Sequence, residues 1–286
     1  MAGHRFTWLD VFSGERFQGN GLAVIHDADD IDDATMHRIA RETRLSETSF
    51  IQSPAADGAD YRHRIWMVTG EIPFAGHPSL GTAAAVARAR GETQATYVQE
   101  TKPGLQVIDV EGDGERARVS MLQEPPQFGD ELDPGDVLPL VGLEEDDADP
   151  DLPVQVVSTG APMVIAPVRD PARLQRLWPD YDRIGALLAG QSAIVLYVVA
   201  VDPGAESARA RSFAGSAEIG EDPATGAAAG TLMAHAAARA GVERLEIVQG
   251  VEMGRPSLLR TAVEGDRVRV GGDVVVVVEG TIHLDA

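Results

Sequence analysis

The sequence predicts an α+β fold of two pseudo-symmetric domains, each a mostly antiparallel curled sheet around a central Ala-rich helix. Three observations carry this. First, residues 64–72 read RIWMVTGEI and residues 211–219 read RSFAGSAEI, so that without a gap Arg64 meets Arg211, Trp66 meets Phe213, Thr69 meets Ser216, Glu71 meets Glu218 and Ile72 meets Ile219. Second, each copy turns into an Ala-rich stretch, GHPSLGTAAAVARARG at 76–91 and GAAAGTLMAHAAARAG at 226–241. A helix that is small and apolar on every face is a buried helix, packed tightly by strands. Third, the remainder of each half alternates apolar and polar residues between Gly-rich turns, as half-buried antiparallel strands do. No helix follows every strand, so a parallel doubly wound sheet does not fit.

The elements follow in order. FTWLDVF (6–12) and GLAVIH (21–26) form a strand pair around the turn SGERFQGN. Residues 29–44 have helical spacing, with Ile31, Met36, Ile39 and Ala40 on one face and Asp32 or Asp33 suited to the first turn. SETSFIQSP and HRIWMV then read as strands, the first Ala-rich helix covers 77–90, and TYVQET, LQVIDVEG and RARVSML are further strands. Residues 124–153 are acidic, Pro-rich and weakly periodic, and are read as a linker. The second half repeats the pattern: two strands in 154–168, helical turns broken at Pro179, a buried strand at 192–201, the second Ala-rich helix, and closing strands. The expected domains are 1–122, completed by the last strand at about 274–286, and 123–273. A site between such domains would have a helix N-terminus on each side, where exposed N–H groups attract anions.

Composition narrows the function. The chain carries 24 Lys+Arg against 45 Asp+Glu, net −21. Lys102 is the only lysine. Phosphate contacts need basic patches, and none is present, so nucleic-acid binding is disfavoured. An acidic shell with almost no lysine fits adaptation to high salt, while a GC-rich genome also replaces lysine by arginine. No run of about 18 apolar residues suggests a membrane span, and no signal peptide is visible, so a cytoplasmic protein is expected. The chain has no cysteine, which excludes disulfides, thiolate metal sites and thiol nucleophiles. The seven histidines are scattered and none pairs at i, i+4 with a helical glutamate, so no metal site is expected. No G-x-G-x-x-G, Walker or G-x-S-x-G motif occurs in a suitable context.

Four segments could carry chemistry. Glu47, in RLSETSFI, lies at a strand beside Phe50 and Ile51, and the second half has no acid near the corresponding place. A carboxylate partly removed from water is a useful acid–base group. Its plain alternative is an exposed glutamate on a strand edge. GEIPFAGHPSLG (70–81) brings Gly76 and His77 to a helix entry, with Pro78 in the first turn where its missing N–H costs nothing. Here the plain alternative is a capping histidine. GEDPATGAAAG (220–230) supplies Asp222, Thr225 and Gly226 at the second helix entry, where an ordinary Asp/Thr cap is the alternative. QGVEMGRPS (249–257) is a Gly-rich turn with Arg255, read either as a loop over the site or as a surface turn.

These four motifs, with DVFSGERFQGNGLAVI (10–25), resemble the phenazine-biosynthesis PhzF-like isomerase family over nearly the whole chain. The resemblance implies a diaminopimelate epimerase-like fold and a cofactor-independent isomerase or epimerase, often a homodimer, with its site in the cleft between the halves. It assigns proton transfer to Glu47, with His77 and Asp222 as the further catalytic residues. It places a substrate carboxylate against backbone N–H groups at Gly76 and Gly226, with Ala227, Thr225 and Asn20 completing the binding set. Related diaminopimelate epimerases and proline racemases use one cysteine per half, and this chain has none. The family commonly has serine where Ala227 stands, and G-N-P where this chain reads G-N-G with Gly21. The expected substrate is a small carboxylate-bearing metabolite, without nucleic-acid or membrane partners. Two alternatives keep the fold: a small-molecule-binding or interaction protein without turnover, and a metal-free lyase that expels a leaving group from the same carbanion.

Overall fold

The computed structural model describes residues 2–112 and 115–284. The chain divides into two compact units, Met1–Met121 with Gly271–Ala286, and Leu122–Val270. The first contains β1 (Ala2–Val11), β2 (Asn20–Ile25), α1 (Asp33–Thr43), β3 (Glu47–Gln52), β4 (Tyr61–Met67), β5 (Gly70–Ile72), α2 (Gly76–Arg90), β6 (Gln94–Thr101), β7 (Gly104–Gly112) and β8 (Arg116–Leu122). The second contains β9 (Gln127–Glu131), α3 (Pro134–Val137), β10 (Gln155–Ser158), β11 (Pro162–Pro167), α4 (Tyr181–Gln191), β12 (Val195–Asp202), β13 (Ser207–Ala214), β14 (Glu221–Asp222), α5 (Gly226–Ala240), β15 (Arg244–Gln249) and β16 (Ser257–Glu264). The long β17 (Arg267–Leu284) starts in the second unit and ends in the first.

The two units share one pairing pattern. In the first, β17, β1 and β2 are successively antiparallel, β2–β3 is parallel, β3–β4 antiparallel, β4–β6 parallel, and β6–β7–β8 antiparallel. A pairing of β8 with β17 closes the ring. In the second, β9–β10–β11 is antiparallel, β11–β12 parallel, β12–β13 antiparallel, β13–β15 parallel and β15–β16 antiparallel. This is the expected α+β arrangement.

The strands of each unit pack against one Ala-rich helix. α2 touches β1, β2, β3, β4, β6 and β7, and every residue from Gly76 to Ala87 is buried. α5 touches β10, β11, β12, β15 and β16. At Gly81 no larger side chain fits: a Cβ there would sit 2.6 Å from Leu22 Cδ2 and 2.8 Å from Val11 Cγ2. Because strands are flanked on both faces, β2 is buried at every position. Its outer face joins Ile25 to Met36, Ile39, Phe50 and Trp66 under α1. That helix starts where the Asp32 side chain accepts the Thr35 N–H, as its acidic first turn predicts.

Two expectations change. The acidic stretch 124–153 is no linker: Val137, Leu138, Leu140, Val141 and Leu143 are buried in the second unit's core. Its acids do local work instead. Asp133 caps α3, and Glu144 and Asp147 form a capping box around a short 3-10 turn. Their charge conceals the apolar run VLPLVGL.

The repeat is also displaced by three residues at its end. Trp66 lies opposite Glu71, and Phe213 lies opposite Glu221. Arg64 binds Glu71 at 2.7 Å, whereas Arg211 binds Glu221 through two contacts of 2.8 and 2.7 Å. Glu71 therefore corresponds to Glu221, not Glu218, and Ile72 corresponds to Asp222. Seven residues separate Phe213 from Glu221, against four between Trp66 and Glu71. The extra residues lengthen the turn before Gly220, so Asp222 stands within the repeated frame and not in an insertion.

With a net charge of −21, mutual repulsion acts against the folded state and salt screens it. We expect the melting temperature to rise when KCl increases from about 0.05 M to about 1 M, where the Debye length falls to about 3 Å. Scanning calorimetry checks this. A fall instead would mean that surface ion pairs such as Arg5–Glu279–Arg88 dominate.

Candidate active site

In the first unit the site is built on strand alternation. Phe50 of β3 points to the outer cluster under α1, so Glu47 and Ser49 point to the opposite face, toward α2. The contacts agree. Ser49 Oγ lies 2.8 Å from His63 Nε2, and Thr82 Oγ1 of α2 lies 3.2 Å from the same nitrogen. Glu47 Oε2 lies 3.5 Å from Nε2 of His77, which occupies the first turn of α2. The Glu47 side chain is 13% exposed and that of His77 4%. On its far side, His77 Nδ1 faces the Asn20 side-chain amide nitrogen at 3.2 Å.

Asn20 is delivered there by the turn after β1. Gly19 has φ +68°, and a Cβ on it would stand 2.4 Å from the Val11 carbonyl oxygen, so glycine is required for Asn20 to pair with Val11. The buried Asp10 carboxylate accepts the Phe17 N–H and fixes the same turn. Burial lowers the His77 pKa to about 3, with the His63 ring adding a smaller effect in the same direction. His63 is likewise lowered to about 3 by burial. Both rings are neutral near pH 7.

In the second unit the corresponding turn is held by a buried glutamine. Gln249 Nε2 donates to the Asp222 carbonyl at 2.7 Å and to Thr225 Oγ1 at 3.0 Å. Its Oε1 accepts the Thr225 N–H at 3.2 Å and the Tyr197 hydroxyl at 2.9 Å. Thr225 in turn donates its hydroxyl to Asp222 Oδ2 at 2.6 Å. Ser257 Oγ donates to the Pro223 carbonyl at 2.9 Å, and Gln123 Nε2 to the Gly226 carbonyl at 2.9 Å. Gln123 fits because residue 230 is glycine; a Cβ there would stand 1.8 Å from Gln123 Oε1.

Neither central helix has a side-chain cap. Ala75 stands at the N-cap of α2, and the N-cap hydroxyl of α5, Thr225, is engaged with Asp222. Backbone donors at Gly76 and His77, and at Gly226 and Ala227, thus lie at helix starts of the kind that bind anions.

Within the first unit, then, Asn20, Glu47, Gly76 and His77 gather in one place. Within the second, Asp222, Thr225, Gly226 and Ala227 gather in another. Sequence reading passed over Ser49, Thr82 and Gln123, gave His63 no role, and did not single out Gln249 within QGVEMGRPS. The alternation of Glu47 with Ser49 and of His63 with Ile65 was the available signal for the first cluster. For Gln249 and Gln123 no local signal exists, because their partners are 24 to 103 residues away. Among the described residues no helix is long and apolar enough to cross a membrane.

The family model described as phenazine biosynthesis-like protein matches residues 9–280. A trans-2,3-dihydro-3-hydroxyanthranilate isomerase of Pseudomonas aeruginosa is 34% identical, over 98% of this chain and all of that protein. A Pseudomonas aeruginosa structure described as a predicted epimerase superposes with a TM-score of 0.87 at 31% identity, covering 99% of this chain and 100% of the other. A Bacillus anthracis protein of the PhzF family gives 0.85 at 27% identity, with coverage of 99% and 100%.

Two outcomes test this geometry. Gln249→Leu strands the Asp222 carbonyl and the Thr225 N–H, and should destabilise the protein by about 2–4 kcal/mol in urea unfolding. A loss under about 1 kcal/mol would mean that the turn holds itself. His63 binds its proton near pH 6.5 when unfolded but only near pH 3 when folded. Its contribution is intact above the unfolded value and is lost as pH falls from about 6.5 toward 3. His63→Asn should therefore flatten the fall of unfolding free energy across that window.

Proposed function

We propose that this chain, an isomerase that belongs to the phenazine biosynthesis-like protein family, moves a proton within a small carboxylate-bearing substrate and uses Glu47 as its acid–base group. The observation that carries this is the placement of Glu47 Oε2 3.5 Å from the His77 ring, at the first turn of a buried and uncapped helix. A carboxylate base thus stands beside donors suited to an anion. In the proposed reaction Glu47 removes a proton from a carbon adjacent to the substrate's carboxylate-bearing system. The charge that develops is stabilised by backbone N–H groups at Gly76 and His77, and by those at Gly226 and Ala227. Glu47 then returns the proton to a different carbon, or to the other face of the same one. Atoms balance, since the substrate loses and regains one proton and no electrons leave it. Asp222, with Thr225, receives a donor group of the substrate such as an amine or hydroxyl.

The name of the Pseudomonas aeruginosa relative supplies a first probe, trans-2,3-dihydro-3-hydroxyanthranilate. Other small amino and hydroxy acids with an acidic C–H follow it. Wild-type protein in deuterium oxide should place deuterium on the probe that it turns over. Glu47→Gln should reduce that incorporation by about 100-fold or more, as loss of a general base does, with an unchanged melting curve. Exchange that persists in Glu47→Gln overturns the assignment.

A further inference from the structure

His77 has two ring nitrogens, and the groups opposite them make contrary demands. Nδ1 faces the side-chain nitrogen of Asn20 at 3.2 Å, and an amide nitrogen can only donate. Nε2 faces Glu47 Oε2 at 3.5 Å, and in the ionised state from which Glu47 takes a proton its oxygens can only accept. We propose that Asn20 is a positioning residue that fixes His77 as the neutral Nε2–H tautomer, so that His77 serves Glu47 and the substrate as a hydrogen-bond donor and not as a second base. This inference rests on the reading of Glu47 as the acid–base group.

The alternatives conflict with the surroundings. The Nδ1–H tautomer would set N–H against the Asn20 amide and turn a lone pair toward the Glu47 carboxylate. The imidazolium form would keep the first of these clashes. It would also place a charge at a site where burial and the neighbouring His63 ring hold the pKa far below neutrality. The ionisable groups acting on His77 are Glu47 of β3 and His63 of β4. Asn20 itself is 1% exposed, so water does not readily replace its amide. A single proton on Nε2 fits every contact.

The consequence is a division of labour. A base needs a lone pair, and the only lone pair on the His77 ring is engaged by Asn20. Proton removal falls to Glu47 alone, while Nε2–H supports the Glu47 carboxylate or negative charge developing on the substrate. The single acid–base group then matches a one-proton shuttle.

The test needs no substrate. Long-range proton–nitrogen NMR correlation on uniformly nitrogen-15-labelled protein near pH 7 reports the protonation of each ring nitrogen, with His77→Gln identifying the His77 signals. The expected pattern is a protonated Nε2 and a bare Nδ1. A protonated Nδ1 in the wild type, in either the neutral or the doubly protonated ring, overturns the proposal. Asn20→Asp places an acceptor at Nδ1 and should move the proton there; an unchanged pattern in the folded variant also overturns it. If Asn20→Asp does not fold, Asn20→Ala removes the donor and should yield a mixture of tautomers, and a ring that stays wholly Nε2–H would show that Asn20 does not set it. The Glu47 reading fails separately, through retained deuterium exchange in Glu47→Gln with the His77 tautomer as stated.

Discussion

A helix enclosed by strands has to be thin and has to begin somewhere dry. That constraint organises each half of this protein. Alanine, glycine and other small residues let the strands approach most of α2 and α5, with Leu80, Leu232 and Met233 filling the wider gaps, and Gly81 and Gly230 mark places where even one Cβ would collide. The start of such a helix leaves N–H groups whose satisfaction cannot come from bulk water. Neither α2 nor α5 uses a side-chain cap, and the turns before them are fixed from outside, by Asn20 and Glu47 around His77 and by Gln249 and Gln123 around Thr225 and Gly226.

The two halves share one frame and differ in the polar residues placed on it. Thr48 lies opposite Trp66 and Leu196 lies opposite Phe213, so Glu47 corresponds to Val195. By the same frame His77 corresponds to Ala227, His63 to Ala210, and Ile72 to Asp222. Each polar group of one half meets an apolar residue in the other. A symmetric pair of bases is therefore absent even as a remnant. What both halves keep is mechanical: Arg64 with Glu71 and Arg211 with Glu221 clamp the short hairpin that leads into each helix. The second clamp is bidentate and almost buried, and Arg211 also lies over the Phe213 ring and donates to the Leu174 carbonyl. A pair so enclosed fixes geometry more than it adds stability, since desolvation offsets much of its attraction.

Local sequence determined a great deal. Helix α1 announced its start with Asp32 and its buried face with Met36, Ile39 and Ala40, because caps and 3.6-residue spacing are set by neighbours in the chain. The strands of β6 to β8 were readable from alternation alone. The Ala-rich segments identified buried helices because no other environment suits a helix small on all sides. Residues 124–153 were misread, because charge at cap positions masked the apolar run beneath. The repeat was misaligned beyond Ser216 because a gapless comparison cannot detect a longer turn, and only the pairing of Phe213 with Glu221 located Asp222.

The sequence by itself settled the α+β class, the two similar halves, the absence of thiol chemistry and the candidacy of Glu47, His77 and Asp222. Each of these depends on composition or on residues close in the chain. The tertiary structure alone decided which atoms meet: Asn20 against one nitrogen of His77 and Glu47 against the other, 57 and 30 positions away, and Gln249 gripping a turn 24 positions before it. Hydrogen-bond direction and burial exist only once distant segments are packed together, so the state of a buried histidine could not be read before the fold that encloses it.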